Sequence, residues 1–89
     1  MVALIDLLQK EQGVIKVIEL LESSVEHYKQ RIMLYAKEDF EYANVVIKES
    51  NEEIQRLQKE IYANKLILRA VRYDILAYFT SIKEETNER

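Results

Sequence analysis

His27 is the one imidazole in an 89-residue chain that contains no cysteine, so nucleophilic thiols and thiolate metal ligands are absent. A histidine can act as a general base or hold a metal. With no Glu-x-x-His pair and no thiolate, a metal site would have to gather carboxylates from several helices. No metal or other cofactor is expected, and His27 reads as a surface residue beside an apolar seam. Ser23, Ser24, Ser50 and Ser81 fall at expected helix caps or ends, and none occupies a strand-to-helix elbow of the kind that activates a serine. Asp39 stands where an apolar residue is expected. Nothing in its spacing from Asp74 or the glutamates sets up the paired carboxylates of acid–base catalysis, so no catalytic residue is expected.

Two stripes suit binding better than catalysis. Lys65, Arg69 and Arg72 share a helix face at i, i+4 and i+7, the minimum for tracking a phosphate backbone. The chain carries 13 basic and 16 acidic residues, a net charge of −3, and lacks a recognition-helix pattern or basic arm. A solvated face is the plainer reading of that stripe, or one that meets the acidic Glu38, Asp39 and Glu41 of another helix. Tyr28, Tyr35 and Tyr42 recur at seven-residue spacing, each offering a rigid apolar body with a polar tip. They suit a hairpin's own core, a dimer interface or a grip on a partner.

The elements that carry these residues must be helices. Proline is absent and glycine occurs once, at Gly13, so the strongest helix breakers are nearly missing. Met33, Phe40, Ile47, Ile54, Ile61, Leu68, Ile75 and Ile82 occupy successive seventh positions, and all are apolar. That spacing is a coiled-coil seam. A second register, displaced by one residue, runs through Leu4, Ile18, Val25, Ile32 and Val46 together with Leu7, Val14, Leu21, Tyr28, Tyr35 and Tyr42. The two registers together make an apolar face wider than one neighbour can cover. Leu66, Ile67, Leu76 and Phe79 likewise lie outside the main seam of the second half.

Ser50 followed by Glu53 has the form of a capping box, which predicts a turn near Ser50. The expected fold is all-α: one domain with an N-terminal helical segment over 1–12, a long helix over 14–49, about 54 Å at 1.5 Å per residue, and another over 51–85. Folding at Ser50 would set Ala43 near Leu57, Ala36 near Asn64, Tyr28 near Val71 and Leu21 near Tyr78. Asn64, at a seam position, could fix register or oligomeric state. The polar end from Lys83 should fray. Two such hairpins would dimerise into a four-helix bundle, since a domain this small has a thin core of its own. A three-helix bundle, with the first segment covering the wide face, is the alternative. The interface is expected at Tyr28, Ile32, Tyr35, Tyr42, Val46, Ile61, Asn64, Leu68, Val71, Ile75 and Tyr78.

Function is correspondingly expected to be non-enzymatic: an adaptor, scaffold or inhibitor that self-associates, as a homodimer, and binds a protein partner. A nucleic-acid accessory protein using Lys65, Arg69 and Arg72, or a small helical enzyme with an anion held by Arg31, Arg69 or Arg72, are the other classes. Patterns for zinc sites, phosphate-binding loops, ferritin-like bundles and helix-turn-helix modules all fail on missing residues. The start, Met-Val-Ala-Leu-Ile-Asp, does not read as a secretory signal and no stretch reads as a membrane span, so a cytoplasmic location is expected, host cytoplasm if the source is viral.

Overall fold

The computed structural model describes residues 3–38 and 41–87, with side chains described as far as Ile82. Two helices form an antiparallel hairpin, α1 (Leu4–Tyr35) and α2 (Glu41–Asn87). The hairpin is 74 Å long and 18 by 15 Å across.

The seam of α1 is the second register of the sequence. Leu7, Ile18 and Val25 are buried, and Leu4, Val14, Leu21, Tyr28, Ile32 and Tyr35 partly so, at alternating intervals of three and four. Glu11 takes the remaining seam position. The seam of α2 is the first register: Ala43, Ser50, Ile54, Leu57 and Val71 are buried, and Ile47, Ile61, Asn64, Leu68, Ile75 and Tyr78 half-buried. This alternation keeps each stripe facing one partner helix. At mid-hairpin Val25, Ile54 and Leu57 form the best-buried cluster, with Leu21, Tyr28, Ile32 and Ile61 packed against it. A 3.0 Å ion pair from Arg72 Nε to Glu11 Oε2 fixes the register toward the open end. That register sets Leu21 level with Ile61, Val25 with Leu57 and Ile32 with Ser50.

The chain therefore turns after Tyr35, fourteen residues or so before the expected place. Ala36 N–H still donates to Ile32 O at 2.8 Å, and Glu38 N–H closes a tighter bond to Tyr35 O at 3.0 Å. The helix ends by this narrowing of its last turn, with no glycine and no positive φ. Ser50 is no cap. It lies inside α2, buried in the seam, and Glu53 accepts from Arg56 on the next turn instead of reaching back to it. A small side chain in the seam next to Ala43 and Val46 lets the helices approach closely, and this packing outweighs serine's preference for a cap. The expected pairings fail with the turn: Ala43 and Leu57 lie two heptads apart on one helix, while Tyr28 and Leu21 face Ile54 and Ile61. Ala36 lies in the turn itself.

Gly13 breaks nothing. α1 passes through it without interruption, so the separate segment over 1–12 and the third helix of the alternative bundle are not formed. The seam residue Phe40 and the interrupting Asp39 lie outside the described residues, as do the side chains from Lys83 onward. The backbone of α2 continues helically to Asn87. With Leu4 level with Tyr78, the last nine residues of α2 project about 13 Å beyond the start of α1.

Candidate functional site

The hairpin seam accounts for most of the residues expected to bind another chain. Tyr28, Ile32 and Tyr35 on α1, and Val46, Ile61, Asn64, Leu68, Val71, Ile75 and Tyr78 on α2, are buried or half-buried between the two helices of one molecule. They form its core. The tyrosine stripe is split by the turn: Tyr28 and Tyr35 stay with the seam, whereas Tyr42 begins α2 and is exposed. Arg31 lies over the Tyr35 ring, 5.8 Å from its centroid. Asn64 donates from Nδ2 to Glu60 O on its own helix, 2.8 Å away.

A different surface is left open. On the side of α2 turned away from α1, Tyr62, Leu66, Tyr73 and Leu76 are 66, 47, 71 and 63% exposed. With Arg69 and Thr80 they alternate at four and three residues, which is a second seam on the same helix. At 100° per residue its centre lies about 150° from the seam that faces α1. Ala63, Ala70 and Ala77 run along one flank, exposed and seven residues apart. A shallow groove bounded by Tyr73, Leu76, Ala77, Thr80 and Ser81 opens onto this face, and another lies beside Tyr62 between Gln55, Gln58 and Lys59. The outer side of α1 differs: Gln9, Gln12, Lys16, Glu19, Ser23, Glu26 and Gln30 dominate it. Ile5 and Leu20 interrupt it fifteen residues apart, Leu8 and Val17 are exposed on its flanks, and Met33 and Leu34 stand near the turn, 67 and 65% exposed.

The charged groups are used locally. Arg56 bonds Glu53 through Nε at 3.0 Å and also reaches Glu60, one turn either way along α2. The hydrogen bond from Arg56, reinforced by its charge, holds Glu53 below the ordinary carboxylate range despite partial desolvation, and the same bond raises Arg56. Of the basic stripe, Arg72 is engaged by Glu11, Arg69 is exposed within the outer seam, and Lys65 borders a groove with Glu22, Glu26 and Lys29. His27 is exposed with its ring edge against Tyr28, 5.6 Å between centroids. Arg31 borders a polar groove with Tyr28, Glu49, Ser50 and Glu53. Among the described residues no three His, Asp or Glu side chains are grouped to hold a metal ion, and no helix is long and apolar enough to cross a membrane.

Sequence reasoning set Leu66 and Leu76 outside the main seam but did not connect them with Tyr62, Tyr73 and the alanines. The signal is present. Read at the 4–3 interval from Tyr62, the pattern Tyr-Leu-Arg-Tyr-Leu-Thr emerges, but only once the a/d seam has been assigned to α1 does it stand apart as a second surface. No family model, curated protein or solved structure matches this chain.

Proposed function

We propose that this chain is a non-enzymatic helical interaction module, an adaptor, scaffold or inhibitor of the cytoplasm, that works by presenting the outer seam of α2 to another helical surface. One observation carries the reading: four large apolar side chains at heptad spacing, flanked by three alanines, face away from α1, the other helix of the described residues. A regular apolar stripe of this length is characteristic of a surface that another element occupies. The hairpin seam supplies the fold, so the outer seam is free for association. Homodimerisation into a four-helix assembly is the form of association proposed.

The test places a photoreactive benzophenone side chain at position 73 and irradiates cells expressing the protein. A discrete adduct is expected, lost in the Leu66→Glu, Leu76→Glu double variant. No adduct beyond that formed from position 30, on the polar outer side of α1, would overturn the proposal.

A further inference from the structure

Resting on the reading of the outer seam as the surface that meets a second copy of this chain, we infer that the two α2 helices pair antiparallel, with the twofold axis at the level of Val71. A compact chain of 10.6 kDa exposes about 5,500 Å², whereas this one exposes 7286 Å². The excess, about 1,800 Å² for one chain, exceeds the roughly 600–1,000 Å² that each partner of a specific pair typically buries, so the rod has surface to spare for such a contact.

The order of residues along the seam is self-complementary. Reversed about Val71, the stripe falls on itself in layers: Tyr62 meets Thr80 of the second copy, Leu66 meets Leu76, and Arg69 meets Tyr73. Leucine packs on leucine. Each guanidinium lies on a tyrosine, which offers it a ring face and a hydroxyl. The flanking alanines match as well, Ala70 beside its own mate and Ala63 beside Ala77, so that on this flank the backbones can close together. Parallel pairing would instead stack Arg69 on Arg69, like charges in the centre of an apolar seam. An antiparallel slide by one heptad toward the turn would put Arg69 on Leu66 and Lys59 on Leu76, burying two cations of each copy on leucines, and the opposite slide would set Arg69 on Thr80 and part Leu66 from Leu76. Arg72, which comes near its own mate at the axis, is compensated by the ion pair with Glu11. Because the two seams of α2 lie on nearly opposite sides, the four helices form a shallow layer with both α2 helices in the middle.

The experiment uses the full chain, whose lack of cysteine allows a single nitroxide at Gln58→Cys, an exposed position. Mass is measured by light scattering from 2 to 200 µM, an arbitrary hundredfold range, and the label-to-label distance by electron double resonance. The expected result is a mass twice 10.6 kDa, a distance of about 40 Å from 13 residues on either side of the axis, and affinity lowered roughly a hundredfold by Leu66→Glu with Leu76→Glu. Circular dichroism of that variant checks that the hairpin, whose seam is untouched, stays helical. A distance below about 20 Å would mean parallel pairing, and a dimer indifferent to the two glutamates would mean another face; either overturns the inference. A monomer throughout also overturns it, and if the position-73 adduct then proves to be a foreign protein, the docking surface stands while self-pairing falls.

Discussion

At Asn64 a polar side chain sits in the apolar seam, level by register with Ile18, and Nδ2 donates to Glu60 O of its own helix. That bond is made within α2 and not across the seam, while the amide's cost to packing remains. Asn64→Leu should stabilise the hairpin by about 1 kcal/mol, raising Tm by roughly 4–8 °C. An unchanged Tm in thermal denaturation would mean that the added leucine stays out of the seam. Arg56 is the other informative residue, clasping Glu53 and Glu60 along exposed helix surface. Because the folded state holds Glu53 below its ordinary value, this contribution is fully present above the carboxylate's unfolded pKa and is lost as pH falls through the depressed folded one. Arg56→Ala should move the Glu53 midpoint upward toward the ordinary range in an NMR titration of the carboxylate; a midpoint that does not move would show that Arg56 is not the cause.

The two helices were legible as helices from the lack of proline and the 3–4 spacing, but the turn between them was not. A straight reading of Met33 into Phe40 and Ile47 carries the seam across the true break. The decisive clue was the one-residue displacement between the registers of Leu4 to Tyr35 and Ala43 to Ile82. Within one helix, interruptions that preserve the seam insert three or four residues. A shift of one residue is better explained by two helices, each with its own stripe, than by one wide face. Ser50 misled because a capping box is a local preference of a fraction of the folding energy, while the buried seam on either side of it is several side chains long. Gly13 shows the converse: a residue poor in helix propensity is retained because neighbours hold it in place. Its position is open, with nothing within 4 Å of an added Cβ, and its φ is not positive. Gly13→Ala should therefore stabilise α1 by about 0.5–1 kcal/mol, visible as a higher Tm by calorimetry; a lower Tm would place a contact at that face.

As a whole the hairpin is a rod, with a radius of gyration of 20.5 Å where a compact chain of this length would have about 12 Å. One seam holds it closed and a second, on the far side of α2, lies open. The residues expected to bind were largely spent on the fold because an 89-residue hairpin has a single interhelical seam for its core. What remained for association could be read only after that subtraction. The central claim is that the outer seam of α2 is covered in the working protein. Single thiols at Ala70→Cys, within the alanine flank, and at Gln30→Cys, on the polar side of α1, report on it through their rates of maleimide labelling in cells expressing the chain. The account predicts labelling at position 70 about tenfold slower than at position 30, as expected where a packed interface excludes solvent. Equal rates would contradict it.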